Sequence, residues 1–160
     1  MQHRVVEWPA FHVVGLQASF TPATIPQIPT LWGRFMARVG EVAGRKGTAT
    51  FGLCRANLPD GKGGVTFEYT AAVEVERPAT PPQGFVAFTV APATYAVFTH
   101  EGHISTIGAT FDAIHGGAIA AAGLRQANGH EFERYDERWD ARTGTGPVDI
   151  YVPVERSKRG

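Results

Sequence analysis

The sequence predicts an α+β fold built from two β-α-β-β repeats, and three observations carry the prediction. Apolar residues recur at helical spacing twice: at Ile28, Leu31, Trp32, Phe35, Val39 and Val42, and again at Ile104, Ile107, Phe111, Ile114 and Ala118. Each stripe follows a strand-like ribbon and precedes two more. A break with three prolines, Arg77 to Gly84, separates the two series, after which the order repeats. Runs of strands separated by helices in this way suit an α+β sheet. Two such units are expected to join into one antiparallel-rich sheet, with both helices on one face and a concave groove on the other. The expected boundaries are a first repeat over about 1–77, a linker over 78–84, a second repeat over 85–154 and a basic tail over 155–160, all within one domain.

Arg4 to Phe20 reads as strand with a break at Trp8-Pro9, because Val5, Val6, Phe11, Val13, Val14 and Leu16 suit a half-buried ribbon. Thr21 to Pro29 carries three prolines and suits a loop running into a first helical turn, where proline is tolerated. The helix weakens at Gly40 and Gly44, and Gly47 marks a turn. Thr48 to Arg55 reads as a strand, and Asn57 to Gly64 as a turn on composition. The clearest alternation in the chain follows. Val65, Phe67, Tyr69, Ala71, Val73 and Val75 share one face, and Thr66, Glu68, Thr70, Ala72, Glu74 and Glu76 the other. Phe67 and Tyr69 are therefore expected in the core and Glu68 in solvent.

In the second series Phe85 to Val90 and Thr94 to Glu101 are strand-like, interrupted at Ala91-Pro92-Ala93. Ser105 or Thr106 is expected to cap the second helix and Gly123 to end it. Gly116-Gly117 inside that helix costs about 1 kcal/mol per residue against alanine, so a close helix contact or a kink is expected there. Glu131 to Glu137 is the next strand, Asp140 to Pro147 a loop and Val148 to Val154 the last strand, whose Pro153 marks an edge or a strand end.

Composition narrows the function. Fifteen basic and fifteen acidic residues cancel, so the whole-chain basic footprint of a nucleic-acid binder is absent. The one basic cluster, Arg156-Ser157-Lys158-Arg159, reads as a solubilising tail. The single cysteine, Cys54, excludes an internal disulfide and suits a reducing cytoplasm. It lies in an apolar run, where a structural role is the common one. No apolar stretch approaches the length of a membrane span.

The stretch with chemistry in it is Phe132-Glu133-Arg134-Tyr135. On a strand Glu133 and Tyr135 share one side and Phe132 and Arg134 the other. Both sides are mixed, so alternation leaves open whether Glu133 is buried or lies on a wet face beside Arg134 and Arg138. An inward Glu133 costs several kcal/mol unless a partner or cation compensates. His100-Glu101-Gly102-His103 differs in spacing from a helical zinc motif and crosses a strand-to-helix junction, so no metal is expected. His3, His12, His115 and His130 are scattered. Gly61-Lys62-Gly63-Gly64 lacks the ending of a phosphate loop and reads as a hairpin turn.

An ordered set of short elements resembles the GyrI-like effector-binding domain family. The set is Tyr95-Ala96-Val97-Phe98-Thr99-His100-Glu101-Gly102, Phe111 in the helix, Phe132-Glu133-Arg134-Tyr135, and Asp149-Ile150-Tyr151-Val152-Pro153-Val154. Ile28 to Phe35 and Tyr69 to Val75 resemble the family's first repeat more loosely. The resemblance implies two repeats related by a pseudo-twofold, with a ligand groove between them. It implies an inward Glu133 that meets cationic aromatic ligands, and aromatic walls drawn from Trp32, Phe67, Tyr69, Tyr95, Tyr135, Trp139 and Tyr151. Gly116-Gly117 departs from the bulkier residues usual in the family's second helix. No helix-turn-helix is expected beside the domain, which sets aside a fused DNA-binding regulator.

The function so implied is a stand-alone binding module for amphipathic, cationic or aromatic small molecules, acting in drug or effector sensing, sequestration or resistance. No cofactor, metal, direct nucleic-acid partner or membrane is expected. An alternative is a hydrolase of strained cyclopropane-bearing natural products with Glu133 as general base. Another is a protein-binding role, with gyrase or a regulator as partner.

Overall fold

The computed structural model describes residues 1–59 and 65–157. The hairpin turn expected at Gly61-Lys62-Gly63-Gly64 and the tail residues Lys158 and Arg159 lie outside the described residues. The chain divides into two compact units: a central unit, residues 10–91, and a terminal unit made of residues 1–9 and 92–160. Both are α+β with antiparallel strands throughout.

In the central unit, β2 (Phe11–Phe20) precedes helix α1 (Ile28–Arg38), which is followed by β3 (Arg45–Pro59), β4 (Val65–Val75) and β5 (Val86–Val90). The strand order is β3-β4-β2-β5. Pro29 sits in the first turn of α1, where its missing N–H is no loss. Leu31 and Phe35 are the buried faces of that helix. They pack with Val14, Leu16, Phe20, Tyr69, Ala71, Val73 and Val75 into one core. The alternation of β4 is therefore realised, with Tyr69 inward and Phe67 half-buried. Its other face is drier than expected: Ala72 is 0% and Thr70 2% exposed, and Glu68 is half-buried instead of solvated. That face of the sheet is covered too, as Phe51 and Leu53 at 1% each confirm.

Strand β3 is longer than the Thr48–Arg55 segment expected, because it tolerates register shifts between Arg45 and Thr50 and between Arg55 and Leu58. Gly47, at a φ of 71°, lies in the first irregularity and turns the strand without a Cβ penalty. Asn57 and Leu58, read as turn on composition, belong to the strand.

In the terminal unit, β1 (Arg4–Trp8) pairs with β6 (Ala93–His100). Helix α2 (Ile107–Ala113) opens into one π-helical turn, Ile114–Ala118, and closes as the short α3 (Ile119–Ala121). Then come β7 (Leu124–Gln126), β8 (Glu131–Tyr135) and β9 (Val148–Arg156). The order is β1-β6-β9-β8, with β7 also on β9. The core under the helix holds Ala96, Phe98, Ile114, Ile119, Ile150, Val152 and Val154. Relative to the expected repeats one strand is exchanged each way: β1 joins the terminal sheet, and β5, which follows the linker, pairs with β2.

Two local expectations are corrected, and an alternative left open at a third place is decided. The cap before the second helix is His103, whose side chain accepts from the Ser105 N–H, and neither Ser105 nor Thr106 caps α2 with its side chain. Strand β9 is central, so Pro153 is no edge residue. It lies where the neighbour on one side changes from β8 to β7, a place where a missing donor disrupts no ladder. At Gly116-Gly117 the structure has a kink, with no close contact: Gly117 leaves helical geometry (φ 168°, ψ −21°), and a Cβ at either glycine would meet nothing within 4 Å. Among the described residues no helix is long and apolar enough to cross a membrane.

Candidate functional site

Strand register decides which way Glu133 points. Glu133 lies opposite Ile150, and Ile150 belongs to the core under the helix. Directly opposed residues share a face, so Glu133, with Glu131 and Tyr135 two residues either side, faces the helix. Glu133 is 8% exposed. The Tyr135 hydroxyl donates to Glu133 Oε1 at 3.0 Å, and the Tyr135 ring meets Trp139 edge-on at 5.1 Å. The buried alternative for Glu133 is the one realised.

The opposite face of the same sheet carries Tyr95, Phe132 and Tyr151. Phe132 and Tyr151 stack at 4.6 Å, and Tyr95 meets both edge-on. Burial pushes the Tyr95 phenol up to about 12 and raises that of Tyr151, with the charge of Asp149 adding to the second. These two tyrosines are core, on the side away from Glu133. Beside them Asp149, 4% exposed, accepts from Thr99 at 2.7 Å and from Arg138 at 2.8 Å. Arg138 also grips Asp136, holding that carboxyl below its ordinary value through the direct hydrogen bonds. The sequence reading missed this network. Its signal, alternating signs at Arg134, Asp136 and Arg138, was present but became legible only with Asp149 opposite Arg134.

The central unit has its own aromatic cluster on its helix side. The Trp32 Nε1–H donates to the Tyr69 hydroxyl at 2.9 Å, Phe20 meets Phe67 and Tyr69, and Trp32 packs against Phe35. Trp32 and Phe67 are half-buried, which leaves part of each aromatic surface to solvent.

His100 is 2% exposed and is a staple of the helix entry. Its Nδ1 meets Thr110 Oγ1 at 2.6 Å and its Nε2 the His103 carbonyl at 3.1 Å. Among the described residues no group of three His, Cys, Asp or Glu side chains is placed to hold a metal. His115, read as scattered, instead contacts Glu131 at 2.7 Å, which raises its pKa. The arrangement around Glu133 is thus a buried carboxylate in an aromatic setting on the helix side of a sheet, suited to a delocalised cation, whose desolvation costs less than that of an ammonium.

The chain is similar to known small-molecule binding and regulatory proteins. The model of the GyrI-like small molecule binding domain matches residues 1–155. The chain is 38% identical over 156 residues to the transcriptional regulator BrlR of Pseudomonas aeruginosa, covering 96% of this chain and 56% of that protein, so it spans about half the relative's length. The structure of SAV2435 bound to tetraphenylphosphonium is similar in fold, with a TM-score of 0.74 at 18% identity, over 97% of this chain and 94% of that one. The EcmrR C-terminal domain is similar at a TM-score of 0.66 and 16% identity, over 98% of each chain.

Proposed function

Because this chain belongs to the GyrI-like small-molecule binding domain family, we propose that it binds amphipathic cationic aromatic molecules, as a sensing, sequestering or resistance module. The observation that carries this reading is Glu133, a carboxylate 8% exposed on the helix side of its sheet, beside Tyr135 and Trp139. A cation lodged there regains in Coulomb attraction what the carboxylate lost in hydration, and each aromatic face adds about 0.5–2 kcal/mol. In the central unit the half-buried Trp32 and Phe67 offer partly open aromatic surface, with the Tyr69 hydroxyl as the polar partner of Trp32, and these three are proposed as ligand contacts. Tyr95 and Tyr151 are assigned to structure.

The test is a thermal-shift series with tetraphenylphosphonium and its uncharged counterpart triphenylphosphine oxide. A cation at about 100 times its dissociation constant stabilises by roughly 2.7 kcal/mol, and the neutral molecule is expected to do far less. Equal shifts with both, or none across a panel of cationic dyes, would contradict the reading. The Tyr135–Glu133 hydrogen bond favours one second reading, hydrolysis with Glu133 as general base for water. Turnover of a cyclopropane-bearing substrate that disappears in Glu133→Gln would establish it.

A further inference from the structure

The helix over the Glu133 strand changes character halfway. Ile114, which opens its π turn, and Ile119, the residue after the turn, are 0% and 7% exposed and pack in the core with Ile150. Between them Gly116 and Gly117 are exposed, and Gly117 departs from helical dihedrals. His115 reaches from this turn to β8, where its Nε2 lies 2.7 Å from Glu131 Oε1. Glu131 shares a strand face with Glu133, and Ile150 is the cross-strand partner of Glu133. The turn therefore stands over the part of the sheet that carries the binding carboxylate.

We propose that the Ile114–Ala118 turn is an adjustable wall beside Glu133 and that the His115–Glu131 contact sets its position, so His115 determines how bulky a ligand is accepted. This rests on the reading of Glu133 as a cation site. The physical grounds are three. Two adjacent glycines give the turn backbone freedom that no other stretch of the helix has. A π turn has one residue more than the regular ladder needs, so it can shift without unpicking the turns on either side. Neither glycine is held by a neighbour, since a Cβ at either would meet nothing within 4 Å. The charged groups facing His115 are Glu131 on β8 and Asp112 on its own helix, and both favour its protonated form. The contact is thus ionic below the raised pKa of His115 and weakens as the pH climbs through it.

The experiment measures, by calorimetry, the dissociation constants of the small planar cation 1-methyl-4-phenylpyridinium and of tetraphenylphosphonium. It uses the parent, His115→Gln and Glu131→Gln, at about pH 6 and about pH 9. The two variants break the same contact from different elements, and their melting curves report that each is folded. In both, relative affinity for the bulky cation should rise about threefold or more, as when a competent conformation goes from about one-third to fully populated. The parent should show the same rise between the two pH values, and the variants should not. Gly116→Ala with Gly117→Ala in the His115→Gln background should reverse the gain. If the small cation depends on Glu133 but the affinity ratio is the same in the parent and both variants, the adjustable wall is wrong and the cation site stands. If Glu133→Gln leaves both affinities unchanged, the cation site fails and this inference with it.

Discussion

Glu133→Gln isolates charge from shape. The side chain keeps its volume, and the Tyr135 hydroxyl keeps an oxygen acceptor at the position where it now donates over 3.0 Å. The hydrogen bond falls from the charge-assisted range of about 1.5–3 kcal/mol to the neutral range of about 0.5–1.5 kcal/mol, a loss set against relief from burying a carboxylate. The ligand-free variant should therefore melt close to the parent. Binding is another matter. A unit cation about 5 Å from the carboxylate, at an effective dielectric of about 20, gains roughly 3 kcal/mol, which is about a hundredfold in affinity. Glu133 is 8% exposed, so salt screens this pair far less than a surface pair. Calorimetric titration with tetraphenylphosphonium should show at least about a tenfold loss, allowing for water that relaxes into the site. Triphenylphosphine oxide should lose much less. Glu76→Gln, at an exposed position, is the control. Equal losses for the two variants, or none for either, would refute the charge-pairing role.

Asp149→Asn should cost about 1–2 kcal/mol, because it removes the buried charge that Thr99 and Arg138 meet while Arg138, 40% exposed, keeps Asp136, and differential scanning calorimetry should show a drop of roughly 2–8 °C. Gly15→Ala should destabilise by about 1–3 kcal/mol in urea titrations, since a Cβ at Gly15 runs into the Ala71 carbonyl oxygen on the neighbouring strand. Arg138 depresses the pKa of Asp136, so that pair's contribution is complete above the ordinary value of 3.8 and is lost as the pH falls through the lower folded value; urea midpoints measured down to about pH 2 should fall there, and less steeply in Asp136→Asn. Trp32→Phe removes the donor to the Tyr69 hydroxyl and should cost about 1 kcal/mol in the same titration.

Local pattern carried much of this fold into the sequence. The two helical stripes and the period-two run from Val65 to Val75 each depend on neighbours a few residues away, so helix faces and the inward turn of Tyr69 were readable directly. What the pattern lacked was the second side of the sheet. Alternation separates Tyr69 from Glu68 but carries no signal that Ala72 and Thr70, on the polar-looking face, are also buried. Glu133 shows the same limit from the other direction. Its strand is mixed on both faces, and only the register with Ile150, seventeen residues away, fixes its side. The aromatic residues that the resemblance implied as a wall are divided by that register, with Tyr135 and Trp139 on the Glu133 side and Tyr95 and Tyr151 on the other face of the sheet. Strand β7, three residues long, is too short to show a period. The hydrogen-bond partner of His115 could not be read from helical spacing, which offers only Asp112, because the carboxylate it contacts is on a strand.

The exchange of β1 and β5 has a consequence for how the chain comes off the ribosome. The central sheet is complete once Val90 has emerged, since β2 through β5 are contiguous in sequence. β1 is made before the central unit and finds its place after it: Val5 pairs with Ala96, and β6 in turn pairs with β9, which ends at Arg156. Throughout synthesis of the central unit the N-terminal segment is an unpaired strand bearing Val5, Val6 and Trp8, open to wrong partners. A bulky N-terminal fusion or an early deletion in this segment would therefore act late, by leaving β6 without its outer neighbour after the central unit has already formed.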